Sequence, residues 1–335
     1  MKALVLRELG GPDKLAIEDV ATPVPGAGQV RVRIKTAALN RRDVWITVGA
    51  YPRIQFPAIA GSDGAGIVDA TGEGVEEALV GREVMLYPAL EWGDDPRCGG
   101  ARFRVLGMPD QGTFAEYICL PADSIYDKPA HLSWDEAAAV PLAGLTAWRA
   151  TVTHGQVAAG QKVLVTGIGG GCATFALAWA HAHGAEVYVT SSSPDKLAAA
   201  ARLGACAGFD YRHPDWGKQL RAAAGAIDLV VDSAGGDGLH EVLDTLGAGG
   251  RYVFFGATRG NPAQGLNMAK LFFRQIRIQG TTMGRPQEFR AMLDFVSARK
   301  LRPVVDHVYP FTEAVAAHQR MQQSEQMGKL VLALS

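Results

Sequence analysis

Residues 162–185, KVLVTGIGGGCATFALAWAHAHGA, carry the densest chemistry-bearing pattern of the chain: an apolar run, a glycine-dense turn and an alanine-rich apolar stretch. Glycines at a strand-to-helix junction let the backbone approach a pyrophosphate, whose charge is met by unpaired N–H groups and the positive end of the helix. Gly167, Gly169 and Gly170 fit the first part of GxGxxG, Gly171 extends the run, and the last motif position is Cys172 rather than glycine. Phosphate binding is the expected use. A tight strand-to-helix turn with no ligand is the plainer alternative.

The next segment, EVYVTSSSPDK at 186–196, bears on which dinucleotide is held. In NAD sites an acidic residue about 20 positions beyond the glycines accepts from the adenosine ribose and repels a 2′-phosphate. Here stand Thr190, Ser191, Ser192 and Ser193, uncharged hydroxyls, with Lys196 just after them and Tyr211 and Arg212 beyond the next apolar segment. Donors plus a cation suit a phosphate monoester, so NADP(H) is expected over NAD(H). SSSPDK also reads as a helix start, with Ser193 as cap and Pro194 first in the helix, and both readings can hold together. Ser233 in DSAGG and Gly256, Ala257 and Thr258 in GAT follow apolar strand candidates, where open α/β sheets bind ligands; plain turn formation is their alternative.

Composition bounds the classes available. The chain has 335 residues, room for about two domains. Lys and Arg number 33 against 34 Asp and Glu, so no global field draws in a nucleic acid or an anionic membrane. Glycine makes up 40 of the 335, about 12% against a usual 7% or so, which implies tight turns and close backbone approaches. Cys98, Cys119, Cys172 and Cys206 lie far apart with no CxxC pair, signalling neither a disulfide framework nor a zinc knot. MKALVLRELGG meets charge too early for a signal peptide, and AAAVPLAGLTAW is too short to span a bilayer. A cytoplasmic protein is expected, binding neither nucleic acid nor membrane.

Two kinds of scaffold must position these residues. The first third is rich in short β-type segments: VRVRIKTAAL alternates apolar with basic residues, and GSDGAGIV, GREVMLY and GTFAEYICL follow between glycines, which suits a small barrel-like domain. Near Ser133 the texture changes, with Ser133 and Glu136 spaced as a capping box. From Lys162 the runs VLVT, EVYVT, DLVVD and GRYVFFG alternate with alanine-rich helical stretches, the pattern of a doubly wound parallel sheet. After Gly284 come a helix, PVVDHVYP, a second helix and the strand KLVLAL, which match the first domain better than the middle.

Taken in order, GAGQVRVRIKTAALNRRDVWITVGAYP, PAIAGSDGAGIV, AAAVPLAGLTAW, VLVTGIGGG, VDSAGG and GRYVFFGAT resemble the medium-chain dehydrogenases/reductases over nearly the whole chain. The nearest likeness is the zinc-independent quinone oxidoreductase branch, whose relatives also go under zinc-type alcohol dehydrogenase names. The resemblance implies an α/β architecture: a GroES-like β-barrel domain from residues 1–130 and 285–335, and an inserted Rossmann domain at 131–284. Zinc-dependent members have cysteine where this chain has Asn40, and histidine where it has Ser62; neither replacement is a zinc ligand. The four-cysteine structural lobe keeps only Cys98, so no metal is expected.

By the same resemblance Asn40 lies near the nicotinamide and donates to a substrate oxygen, and Thr146 contacts the cofactor. Asp43 orients its neighbours or relays a proton, or simply caps a helix. Trp45 and Tyr51 line a planar substrate pocket, with an ordinary core role as the alternative for Trp45. Asn40, Asp43 and Tyr51 are thus the catalytic candidates. The expected activity is NADPH-dependent hydride transfer, without zinc, to a quinone or α,β-unsaturated carbonyl, with solvent or Tyr51 as proton source. An alcohol or aldehyde reductase, and an NADPH-binding sensor or structural protein without turnover, are the alternatives. Related chains pair along a Rossmann edge strand, so a homodimer through LFFRQIRIQG is expected, although a fully buried strand would read the same way.

Overall fold

The computed structural model describes residues 1–334. The chain forms two compact units, Met1–Leu145 with the segment from Gly284 onward, and Thr146–Met283. In the first, β1 (Lys2–Leu6) pairs antiparallel with β2 (Leu15–Asp19). The alternating VRVRIKTAAL becomes β3 (Gln29–Ala38), with Val30, Val32 and Ile34 buried and Arg33 exposed, as a strand with one wet face requires. Next come α1 (Arg41–Thr47), β4 (Ala58–Ile59), β5 (Asp63–Thr71), β6 (Glu83–Leu86), the small pair β7 (Ala89–Leu90) and β8 (Arg104–Val105), β9 (Tyr117–Pro121) and β10 (Ile125–Asp127).

Ser133 and Glu136 cap α2 (Trp134–Ala139) reciprocally: Glu136 N donates to Ser133 Oγ at 3.2 Å, and Ser133 N to Glu136 Oε2 at 2.9 Å. α3 (Pro141–Trp148) follows, and the two compact units divide within it, at Leu145, where the resemblance implies a division at 130. The physical reason is that α2 packs on β3 and β5, and Leu142 N donates to Asp63, tying the start of α3 to the first unit.

The second unit alternates β11 (Lys162–Val165), α4 (Gly171–Ala182), β12 (Glu186–Thr190), α5 (Pro194–Arg202), β13 (Ala207–Phe209), α6 (Trp216–Ala224), β14 (Ile227–Asp232), α7 (Leu239–Thr245), β15 (Leu246–Phe254), α8 (Met268–Phe273) and β16 (Arg277–Gly280). The six strands are parallel in the order β13-β12-β11-β14-β15-β16. Val163–Val165 and Leu229–Val231 are fully buried, as apolar runs covered on both faces must be. Strand order reverses at β11, so its carboxyl end is the switch point where such sheets bind ligands.

The chain then returns to the first unit through α9 (Pro286–Arg299), β17 (Val305–Pro310), α10 (Ala314–Gln322) and β18 (Lys329–Ala333). They complete a sheet in the order β10-β6-β5-β3-β18-β17, with β9 also on β3. Ala38, near the end of β3, faces Asp63 of β5 on one side and Val331 of β18 on the other. That register brings segments from both ends of the chain to the N-terminus of α1. No helix among the described residues is long and apolar enough to cross a membrane.

Candidate functional site

The glycine turn forms a cradle at the carboxyl ends of β11, β14 and β15. Gly167 holds a left-handed φ of 62°, which favours glycine, and its N–H donates to Thr190 Oγ1 at 3.3 Å. A side chain at Gly167 would meet Ser233 Oγ at 3.5 Å, and one at Gly256 would meet the Ser233 carbonyl at 3.2 Å. Gly167, Ser233 and Gly256 therefore adjoin, and Thr258 N and Oγ1 both donate to Ser233 O at 3.2 Å. Gly170 caps α4 without a side-chain hydrogen bond, which leaves the helix start open to an anion. Beneath the cradle, the buried Asp232 carboxylate accepts from Thr166 Oγ1, Ala234 N, Gly235 N and Tyr252 Oη. Burial, then that carboxylate, pushes the Tyr252 phenol up, so it stays a donor and braces the cradle.

The end of β12 offers only hydroxyls, Thr190 to Ser193. Ser193 Oγ caps α5 by accepting from Lys196 N at 3.4 Å, and Ser193 N donates to Ser191 Oγ at 3.1 Å. The nearest carboxylate after β13, Asp210, is held by Arg212 through Nε and Nη2. Tyr211 carries the Arg259 guanidinium 5.0 Å from its ring centroid. Thr146 is buried and donates from Oγ1 to Met283 Sδ at 3.8 Å.

The second cluster lies in the first unit, around Asn40. Its carboxamide is used at both ends: Oδ1 accepts from Lys329 Nζ at 2.8 Å and Nδ2 donates to Asp63 Oδ2 at 2.9 Å. Lys329 Nζ also donates to Asp63 Oδ2 at 2.8 Å, and Leu142 N donates to Asp63 Oδ1 at 2.7 Å. Asn40 N donates to Asp43 Oδ2 at 2.7 Å, so Asp43 does cap α1. Its other oxygen, Oδ1, is buried without a partner among the described residues. Burial pushes the Asp43 carboxyl up to about 6, against the opposing pull of Arg42 and the Asn40 N–H.

Arg42 donates from Nη1 to Ser62 Oγ and to Leu106 O, and stacks its guanidinium 4.5 Å from the Tyr51 ring centroid. Tyr51 packs against the apolar core of this unit, and Trp45 is half-buried on α1. The structure thus ties Asn40 to Asp43 and seats Tyr51 on Arg42, and separately joins Gly167, Ser233, Gly256 and Thr258 at the cradle, while Ser191 bonds to Ser193 N and Phe209 O.

As metal donors these residues do not fit zinc. Asn40 and Ser62 present an amide and a hydroxyl, and each already accepts from a cationic side chain, a setting that repels a divalent ion. No group of three or more His, Cys, Asp or Glu among the described residues could hold a metal ion. In the segment with Cys98, Trp92 packs on Phe103 at 5.0 Å and Arg104 pairs with Glu91 and Asp110.

Sequence reasoning missed Arg42, Asp63, Lys329 and Arg259. Lys329 did leave a signal: a lysine opening the apolar run KLVLAL, a residue that is 2% exposed in the structure and so needs a partner.

The sequence profile of the alcohol dehydrogenase GroES-like domain matches residues 26–130, and that of the zinc-binding dehydrogenase matches residues 171–298. The chain is 35% identical over 340 residues to the zinc-type alcohol dehydrogenase-like protein YogA of Leptosphaeria maculans, covering 96% of this chain and 94% of that one. It is 28% identical to the quinone oxidoreductase of Mus musculus, covering 100% and 98%. Among solved structures it is similar to an NAD-dependent alcohol dehydrogenase, with a TM-score of 0.94, 39% identity and full coverage of both chains. It also matches the crotonyl-CoA carboxylase/reductase AntE in complex with NADP, with a TM-score of 0.91, 25% identity and coverage of 99% and 94%.

Proposed function

The chain belongs to the medium-chain dehydrogenases/reductases, in their quinone oxidoreductase-like branch, and from that membership we propose an NADPH-dependent reductase of quinones or α,β-unsaturated carbonyls that works without zinc. The glycine turn of the second unit would hold the NADPH, which would supply the two electrons as a hydride, and the acceptor would take one proton from Tyr51 or solvent.

One observation carries this reading: an amide and a hydroxyl, each bonded to a cation, stand where zinc-dependent relatives have thiolate and imidazole. Oxidising a simple alcohol needs help in removing its hydroxyl proton, which zinc supplies by coordination. Hydride addition to a quinone or to the β-carbon of an enone instead creates a phenolate or enolate, delocalised enough for neutral donors to stabilise. Asn40 Nδ2 is such a donor, and Tyr51 or solvent returns the proton.

The hydroxyl-only end of β12, the pairing of Asp210 by Arg212, and the nearby Lys196 and Arg259 support NADP(H) over NAD(H). Gly167, Gly169, Gly170 and Gly171 would take the pyrophosphate. Ser191, Ser192, Lys196 and Tyr211 would take the adenosine phosphate, while Thr146, Ser233, Gly256, Ala257 and Thr258 would line the rest. AntE, the crotonyl-CoA reductase seen with NADP, offers a parallel. The second reading, an alcohol or aldehyde reductase, draws on the names of YogA and of the NAD-dependent structure.

β16, which carries Ile278, is exposed along its length at the sheet edge, and Phe272 and Phe273 just before it are exposed too, which supports a homodimer formed by strand pairing. A cytoplasmic setting suits the scattered cysteines. The test of function is a spectrophotometric screen of NADPH and NADH against quinones, enones, aldehydes and ethanol, with metal analysis of the same sample. Ethanol oxidation with NAD⁺ that a chelator abolishes overturns the proposal.

A further inference from the structure

Lys329 opens β18, and Leu330, Val331 and Leu332 beside it are fully buried. A buried ammonium is costly unless its hydrogen bonds are met, and Lys329 meets two, to Asp63 Oδ2 and Asn40 Oδ1. The Asp63 carboxylate is itself pinned, because Leu142 N holds its other oxygen. Between this cation and this anion the Asn40 carboxamide has one orientation. Turning it over would set its NH₂ against the ammonium and its oxygen against the carboxylate, losing two charge-assisted hydrogen bonds at once. One Nδ2–H donates to Asp63, and the other makes no hydrogen bond among the described residues.

We propose that Lys329 is a positioning residue: by fixing the Asn40 carboxamide between itself and Asp63, it reserves one Asn40 Nδ2–H for the acceptor oxygen on which negative charge develops. The inference rests on the reductase reading for its catalytic consequence, while the hold on Asn40 stands on the geometry. Lys329 acts through Asn40 and does not itself touch the acceptor.

Two readouts separate these layers. The chain has three asparagines, Asn40, Asn261 and Asn267, so selective ¹⁵N-asparagine labelling gives side-chain amide pairs that Asn40→Ala assigns by loss. Lys329→Met shifts the Asn40 pair toward that of a free carboxamide and leaves the other two in place; an unmoved Asn40 pair overturns the proposal, whether or not any acceptor is turned over. For catalysis, kcat is measured with NADPH and 1,4-naphthoquinone or 2-cyclohexenone. Lys329→Met lowers kcat about tenfold, the size of one ordinary net hydrogen bond, with the Kd for NADPH held within about twofold. Asn40→Ala lowers it similarly, and the double variant falls no further than the lower single, because both act through one group. Losses that multiply in the double variant, or an unchanged kcat in Lys329→Met, overturn the positioning role.

Where Lys329→Met fails to fold because Asp63 is left unpaired, Asp63→Asn/Lys329→Met, which removes both charges, carries the same two readouts. Recovery of full kcat in that folded variant overturns the proposal. A parent chain that reduces none of the acceptors refutes the function proposed above, and the amide spectrum still decides the hold on Asn40.

Discussion

Arg42 donates to the hydroxyl of Ser62, which in turn donates to the Leu106 carbonyl 2.7 Å away, both side chains being buried. A permanent positive charge therefore sits against Ser62, the residue that the family resemblance sets where metal-dependent members have histidine. Added Zn²⁺ leaves the thermal midpoint of the protein unchanged, and prolonged chelation leaves turnover unchanged. Loss of activity on chelation that Zn²⁺ restores refutes this.

On the function proposed above, the hydroxyls after β12 set the cofactor choice. Lys196→Ala and Arg259→Ala each weaken NADPH binding about tenfold, the share of one charge-assisted contact to a phosphate, and leave NADH binding nearly unchanged. Ser191→Asp moves preference toward NADH by placing a carboxylate against the 2′-phosphate. Fluorescence titration of both nucleotides reads the ratio; Lys196 has no part in the site if its removal leaves that ratio where it was.

Two buried groups give opposite dependences of stability on pH. His318, fully buried with Phe114 at 5.4 Å, is pushed by burial from 6.5 down to about 4, so the unfolded chain takes up the proton first. Its contribution is complete above about pH 6.5 and disappears as pH falls toward about 4. Asp43 is raised from 3.8 to about 6, so the folded chain takes up its proton first and gains stability as pH falls between those values. Each amounts to about 3 kcal/mol at ~1.4 kcal/mol per pKa unit, and the two nearly cancel. Urea unfolding across this range should show Asp43→Asn losing stability on acidification and His318→Leu gaining it. Parallel curves for the two variants contradict this account.

Tyr51 is seated under Arg42 by its ring, which phenylalanine retains. Tyr51→Phe therefore folds normally and lowers kcat about a hundredfold if the phenol supplies the proton, the low end for a general acid. An unchanged kcat assigns the proton to solvent.

The exposed β16 edge makes the assembly testable. If the chain pairs as proposed, Ile278→Lys or Phe273→Asp puts a charge on the apolar margin and leaves a monomer in light scattering, with the far-ultraviolet spectrum unchanged. A monomeric parent chain removes the basis for this face as an interface.

How much of this was legible in the sequence depended on distance along the chain. The Ser133–Glu136 box, the Ser193–Pro194 start of α5 and the glycine turn before α4 are determined within a few residues, and each stands where its local chemistry puts it. The Lys329–Asp63 pair joins residues 266 positions apart, and its existence follows only from β18 lying beside β3. Arg42 was hidden for another reason: on a seven-residue helix an arginine reads as solvated surface, and only the fold shows it turned inward to Ser62. LFFRQIRIQG read alike as a buried or an edge strand, because an apolar run does not say how many neighbours it will have; the structure divides it, Leu271–Phe273 closing α8 and only Arg277–Gly280 forming β16.

The strand that carries Lys329 is translated after the whole of the second unit. At roughly 5–20 residues per second, a ribosome needs about 15–50 s to go from Asp63 to Lys329. Throughout that interval the nascent β3 has an open flank and the Asp63 carboxylate waits for its cation; the second unit is finished at Met283, about 2–9 s before Lys329 is added. Premature termination near the 3′ end of the message would therefore yield molecules with every strand of the second unit but with Asn40 and Asp63 left without the ammonium that joins them.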